Sequence, residues 1–222
     1  MKVFTIPNFI TLLNLVCGIV GIIETMEGRH ENAGYLILTA LVLDFLDGFI
    51  ARLTKSYSDI GKQLDSLADM VSFGVLPSLM LYNLWDSSEW FVYIAFLPAL
   101  FSALRLAKFN IDERQGDTFY GIPTPANAMT VAAFPFILKD NEGLLSPQTI
   151  EIALGVYAVI ISILMIADIP MMALKFKEFS WTNNKPKFLF LILSLGLLLL
   201  TKLVAIPLIL ILYVGFSLFS KS

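Results

Sequence analysis

Eight apolar runs, each close to the length of a bilayer crossing, occupy most of this chain and restrict it to a bundle of membrane helices. They lie near residues 8–26, 33–55, 61–83, 89–109, 124–138, 148–170, 186–200 and 203–219. A backbone in hydrocarbon has no water to bond, and an α-helix of about 20 residues satisfies its own polar groups within one segment. The fifth, seventh and eighth runs are short, and the last two could join as one element kinked around Thr201-Lys202 and Pro207. A chain of 222 residues that is 57% hydrophobic is not expected to be a soluble domain. With no linker or low-complexity tract, residues 1–222 are expected to form a single all-α domain, a polytopic transmembrane bundle of six core helices plus about two C-terminal helices.

The basic residues orient these spans. With the N-terminus inside, cytoplasmic segments hold Lys2, Arg52, Lys55, Lys62, Arg105, Lys108, Arg114, Lys175, Lys177, Lys185, Lys187 and Lys221, and the opposite face holds only Arg29, Lys139 and Lys202. Positively charged residues collect on the cytoplasmic side, so twelve against three favours an even number of spans with both termini inside. No signal-peptide cleavage site precedes Glu24, so the first run is expected to be a retained span. Asn8 is a candidate cap for span one, and Thr124-Pro125 places a cap residue before a first-turn proline at span five. Cys17 reads as inert helix packing, and His30 as a solvated residue of an outer loop.

Four aspartates stand inside these spans. Asp44 and Asp47 are three residues apart and Asp65 and Asp69 four apart, so each pair shares one helical face. The turn between spans two and three falls near Ser56–Ile60. At 1.5 Å per residue both pairs reach roughly 10–18 Å from that turn. Two antiparallel helices would thus aim four carboxylates at one point near the cytoplasmic side. Ionised groups at membrane depth are expensive and usually functional, and four of them would repel one another unless cations intervened. Oxygen-only ligation suits Mg²⁺, Mn²⁺ or Ca²⁺, and a pair of such ions clamps the attacking and leaving oxygens of a phosphoryl displacement. On spacing alone, a cation-transport site, a proton relay, or aspartates paired with Arg52 and Lys62 stay open. Gly48 and Ala51 continue the face of Asp44 and Asp47 and leave room for a ligand. Gly61, one turn before Asp65, could let spans two and three pack closely.

Asp44-x2-Asp47-Gly48-x2-Ala51-Arg52-x8-Gly61-x3-Asp65-x3-Asp69 resembles, without gap or substitution, the signature of the CDP-alcohol phosphotransferases. The resemblance implies an integral-membrane enzyme that transfers a phosphatidyl group from a CDP-linked lipid to a hydroxyl acceptor and releases CMP. It implies two divalent cations, Mg²⁺ or Mn²⁺, held by Asp44, Asp47, Asp65 and Asp69, with Asp69 also the general base. Gly48, Ala51, Arg52 and Gly61 would line the cytidine and diphosphate site. Asn8, Thr11 and Asn14 share one helical face and could contact the nucleotide.

Three further segments are similar to the phosphatidylserine synthase branch. They are Ile6-Pro7-Asn8-Phe9-Ile10-Thr11-Leu12-Leu13-Asn14, then Ala103-Leu104-Arg105-Leu106-Ala107-Lys108-Phe109-Asn110, with Lys108 where that branch has arginine, and Phe119-Tyr120-Gly121-Ile122-Pro123-Thr124-Pro125. Phosphatidylglycerophosphate synthases tend to carry arginine where Asn14 stands. The branch implies CDP-diacylglycerol and L-serine as substrates, with Arg105, Lys108 and Asn110 at the acceptor. An arginine binds a carboxylate with two parallel hydrogen bonds, while a lysine supplies a point charge. Simple snorkelling at the end of span four is the alternative for both cations. A phospholipase-D-like mechanism needs two histidines, and the chain has one. The remaining expectations are a homodimer in a prokaryotic inner membrane, its active site toward the cytoplasm, contacts with membrane lipids, and no nucleic-acid partner. Glycerol 3-phosphate, inositol phosphate or an archaeal-lipid analogue remain rival substrates.

Overall fold

The computed structural model describes residues 3–85, 89–112, 119–172 and 181–219. Lys2, Arg114, Lys175, Lys177 and Lys221 of the topology argument lie outside these residues, as does the side chain of Phe119. The chain runs α1 (Ile6–Met26), α2 (His30–Leu53) and α3 (Asp59–Asp69), which passes through a π-helical turn (Met70–Val75) into α4 (Leu76–Leu84). A 3₁₀ stretch (Trp90–Phe96) leads into α5 (Leu97–Ile111), followed by α6 (Thr124–Asp140) and α7 (Pro147–Ile166). Two short strands, β1 (Phe119–Tyr120) and β2 (Pro170–Met171), pair antiparallel and tie the start of α6 to the end of α7. The helices α8 (Trp181–Thr201) and α9 (Ala205–Phe219) close the chain.

Among the described residues, five stretches are long and apolar enough to cross a membrane, and the protein is an integral membrane protein. The first four are α1, α3 through α4, the 3₁₀ stretch with α5, and α7. The fifth, Asn184–Phe219, is two helices. Lys202 takes φ +52° between them, and Phe190 packs against Tyr213 and Phe216 with ring centroids 5.8 and 6.1 Å apart. An unbroken helix would hold residues 190 and 216 about 39 Å apart, so the C-terminal segment is a hairpin and not one kinked element. Two of the expected spans, α2 and α6, fall outside these five, and α6 has only 17 residues.

Large apolar side chains such as Phe45, Ile160 and Leu199 are exposed along the helices, as suits a surface facing lipid tails. The interior is small and dense by contrast. Ala33, Ile37, Ala40, Phe73, Leu76 and Met80 are fully buried where α1, α2, α4 and α6 meet. Close approach comes from small residues, the usual means where lipid competes for apolar contact. A Cβ on Gly18 would lie 2.5 Å from Ser72 Oγ. That contact seats α1 on the π-helical turn, and Ser72 Oγ donates to the backbone oxygen of Asn14 at 3.0 Å.

Three local expectations are corrected. Thr5, not Asn8, caps α1: its hydroxyl accepts from the Asn8 backbone N–H at 3.3 Å, while Asn8 Nδ2 donates to Val3 O at 2.7 Å. The cap of α6 is Pro123, so Thr124 is already helical. His30 is the first residue of α2 and half-buried, because the Ala33 N–H finds the Arg29 carbonyl at 3.2 Å and the helix starts a turn before the apolar run.

Candidate active site

The loop from Thr54 to Ser58 reverses the chain, with Lys55 at φ +51° and Ser58 capping α3 through the Gly61 N–H at 3.1 Å. A reversal this short folds α3 back toward α2, with α1 packed against both, so the helical spacing of each aspartate pair is converted into proximity. Carboxylate oxygens of Asp44, Asp47 and Asp65 all lie within 4.8 Å of one another. Asp69 lies outside that group, 7% exposed, with Oδ1 3.5 Å from the amide Nδ2 of Asn14. Asn14 thus reaches an aspartate. Thr11 acts similarly: its hydroxyl lies 2.5 Å from Asp47 Oδ2 and 3.1 Å from Pro7 O.

Two cavities open from this cluster. The first, about 410 Å³, is lined by Asn8, Thr11, Asp47, Gly48, Ala51 and Gly61, together with the loop before α3. A Cβ on Gly48 would meet nothing within 4 Å, so this glycine leaves open space on the cavity wall. Gly61 serves a different contact from the one expected. Its missing Cβ would sit 3.1 Å from both Asn8 Oδ1 and Ser58 Oγ, so it fits α3 against α1 rather than α2. Arg52 is exposed and outside the lining.

The second cavity, about 420 Å³, is lined by Asp44, Asp65, Asp69, Arg105 and Asn110 from α2, α3 and α5, and by Tyr213 from α9. Arg105 Nη1 is 3.5 Å from Thr124 Oγ1, while its Nε is buried with no partner. Asn110 donates from Nδ2 to Ser66 Oγ at 2.9 Å, and its Oδ1 is likewise buried and unpaired. Lys108 is directed elsewhere, bonding Asp168 at 2.8 Å with its side chain 40% exposed. Both volumes fall in the range of small-ligand sites, about 300–1,000 Å³.

Lys62 and Asp65 line both cavities. The Lys62 ammonium donates to the Asn110 carbonyl at 2.9 Å, and Arg52 faces outward, so neither cation neutralises the aspartates. The ion pairs recorded among the described residues lie away from the cluster: Arg29 with Glu24 and Glu27, Lys139 with Glu31, Lys108 with Asp168. Asp65 Oδ1 is buried without a partner. Converging carboxylates, one orphaned oxygen and, among the described residues, no ion pair to Asp44, Asp47 or Asp65 fit divalent cations, whose hard charge prefers oxygen ligands. Lys62, Ser66, Met172 and Tyr213 line the cavities but carry no motif. For Lys62 the one available signal was its place a turn before Ser66 on the aspartate face of α3.

Residues 4–167 match the sequence profile of the CDP-alcohol phosphatidyltransferases. The chain is 36% identical over 168 residues to a CDP-diacylglycerol–serine O-phosphatidyltransferase of Methanocaldococcus jannaschii, covering 76% of this chain and 74% of that protein. It is 34% identical over 215 residues to one of Helicobacter pylori, covering 95% and 88%. It is 38% identical over 133 residues to one of Bacillus subtilis, covering 59% and 75%. The chain belongs to the CDP-alcohol phosphatidyltransferase family.

Proposed function

We propose that this protein transfers the phosphatidyl group of CDP-diacylglycerol to the hydroxyl of L-serine, giving phosphatidylserine and CMP. The observation that carries the reading is the pair of cavities joined at one carboxylate cluster, since group transfer between two substrates needs two sites that meet at the reacting atoms. The names of the relatives favour serine as acceptor.

The first cavity takes the cytidine diphosphate, with Gly48 and Ala51 admitting the nucleotide and Asn8 and Gly61 forming the opposite wall. Asp44, Asp47 and Asp65, together with Asp69, would hold two divalent cations, Mg²⁺ or Mn²⁺. Such ions supply charge neutralisation on the diphosphate and its leaving oxygen. Serine occupies the second cavity, its carboxylate on the unpaired donor of Arg105. Asp69 takes the proton of the serine hydroxyl. The freed oxygen attacks the lipid-side phosphorus in line, a new phosphorus–oxygen bond forms, and the bond to the CMP oxygen breaks with its electron pair leaving on CMP. Thr11 holds Asp47 and Asn14 holds Asp69, so these carboxylates need little reorganisation during the reaction. Lys108 is paired with Asp168 and does not line the cavity, so no direct serine contact is assigned to it. The basic-residue bias supports an active site on the cytoplasmic side of a prokaryotic inner membrane, with both termini inside. The homodimer expected from the family is part of this proposal.

The direct test is CMP release from CDP-diacylglycerol by purified protein in detergent or nanodiscs. Serine should be required, glycerol 3-phosphate, inositol and inositol phosphate should not substitute, and EDTA should abolish release until Mg²⁺ or Mn²⁺ is restored. Turnover that survives chelation, or that prefers another acceptor, would overturn the reading. No turnover with any acceptor, combined with cation flux in proteoliposomes, would favour a transporter.

The first cavity can be tested separately. Gly48→Leu puts a side chain into open space, so the CDP-diacylglycerol KM is expected to rise roughly 10-fold or more while the serine KM stays within about 2-fold. The same change replaces a poor helix former with a good one, worth up to about 0.8 kcal/mol. The melting temperature should therefore hold or increase. A loss of thermal stability alongside lost activity would place Gly48 at a packing contact and not at a ligand wall.

A further inference from the structure

We propose that the C-terminal hairpin completes the acceptor cavity, with the ring of Tyr213 as the wall that selects a small amino-alcohol acceptor. This rests on the reading of the second cavity as the acceptor site. The family match ends at residue 167, yet Met172 and Tyr213, both beyond it, line that cavity beside Arg105 and Asp69.

Their position is fixed by a set of hydrogen bonds. The Tyr213 hydroxyl donates to the Met172 carbonyl at 3.1 Å, and the Met172 N–H donates to Ser217 Oγ at 3.0 Å. Ser217 Oγ in turn lies 2.6 Å from the Tyr213 carbonyl, to which it donates. Tyr213 and Ser217 are one turn apart, so a single face of α9 grips both backbone groups of Met172. Met172 and Ser217 are buried, at 6% and 4% exposure. A network this enclosed, with both ends satisfied, is rigid.

The grip extends to the rest of the cavity wall. Met172 follows β2, which pairs through Phe119↔Met171 and Tyr120↔Pro170 with β1. The chain then turns at Gly121, where φ is +72° and a Cβ would lie 2.4 Å from the Met165 carbonyl. Only glycine fits both demands. Beyond it, Pro123 and Pro125 line the same cavity, and Thr124 touches Arg105. The C-terminal helix therefore braces the segment that faces the arginine.

The chemistry of the wall suits a small zwitterion. Its charged members are the Arg105 guanidinium, Lys62 and the aspartates, which match a carboxylate, an ammonium and a reacting hydroxyl. Tyr213 adds bulk without charge. Its hydroxyl proton is committed to Met172, so what it offers an acceptor is ring surface and an oxygen lone pair. A wall of this kind discriminates by size, and one methylene in such a pocket is worth about 10–200-fold.

The test compares full-length Tyr213→Ala and Tyr213→Phe with wild type, measuring kcat/KM for serine, homoserine and threonine with CDP-diacylglycerol saturating. Tyr213→Ala should raise the serine KM about 10-fold and shift the homoserine-to-serine selectivity at least about 10-fold toward the larger acceptor. The CDP-diacylglycerol KM should stay within about 2-fold, because the nucleotide cavity is formed elsewhere. Tyr213→Phe keeps the ring and should keep the selectivity. An unchanged selectivity in Tyr213→Ala, or KM values for both substrates rising together, would overturn the proposal. Should Tyr213→Ala not fold, Tyr213→Leu carries the same expectation. Loss of fold in both would make Tyr213 a structural residue and likewise overturn it. The parent reading fails differently: wild-type protein would then show no serine-dependent CMP release at all.

Discussion

Asp69→Asn is expected to lower serine-dependent CMP release by about 10³-fold or more, the scale of a lost general base at a reacting hydroxyl. The same variant should weaken CDP-diacylglycerol binding less than Asp44→Asn does. Asp69 is set apart from the other three carboxylates: it lies outside the 4.8 Å group, on the acceptor cavity, with Asn14 on one oxygen. Asparagine keeps the shape and one hydrogen-bonding oxygen but cannot accept the serine proton. Asp44 lines the acceptor cavity too, but it belongs to the compact group with Asp47 and Asp65, both of which line the nucleotide cavity, so its amide variant removes charge where the diphosphate is neutralised. Steady-state turnover and titration of a CDP-lipid into nanodisc-held protein with Mg²⁺ would measure the two effects. Equal losses of binding in the two variants would remove the separate role for Asp69, leaving it a fourth carboxylate of the cation site.

The part of this site that was legible in the sequence is the part built from local geometry. Asp44, Asp47 and Asp65 converge because spacings of three and four residues fix a helical face and a loop of five residues fixes the helix pair. The all-α membrane class followed equally directly, since apolar runs of this length leave a backbone no other way to satisfy its hydrogen bonds. Gly48 was readable as open space for the same reason.

What escaped depends on contacts between distant segments. Asn14 lies on the same face as Thr11, and periodicity gives no hint that one meets Asp69 and the other Asp47. That distinction arises from how Gly18 seats α1 on the π-helical turn. The turn itself, which opens immediately after Asp69, has no residue signature, although such bulges recur at functional sites. Lys108 occupies a position where the related branch carries arginine, but Asp168, 60 residues away, claims its ammonium. Tyr213 is 144 residues from Asp69 in sequence and sits in an ordinary apolar run, so only the folded hairpin brings it to the cavity.

Arg105→Ala is expected to raise the serine KM about 100-fold with a much smaller effect on the CDP-diacylglycerol KM. Two hydrogen bonds from a guanidinium to a carboxylate, at about 1.5 kcal/mol each, give about 3 kcal/mol. Each 1.4 kcal/mol is worth a factor of ten. The buried, unpartnered Nε is the reason to expect a ligand there, since burying a donor without an acceptor costs about 1–3 kcal/mol that a bound carboxylate would recover. Among the described residues, the one hydrogen bond recorded for the guanidinium is the long contact to Thr124, which leaves most of its donors for the cavity. Arg105→Lys should recover only part of the loss, because an ammonium keeps the charge and forfeits the paired geometry. Ethanolamine, which lacks the carboxylate, supplies an internal control: any residual turnover with it should be indifferent to Arg105→Ala. If the variant raised both KM values alike, Arg105 would belong with the diphosphate or with the packing of α5 against α6. If lysine restored full affinity, charge alone would account for its role.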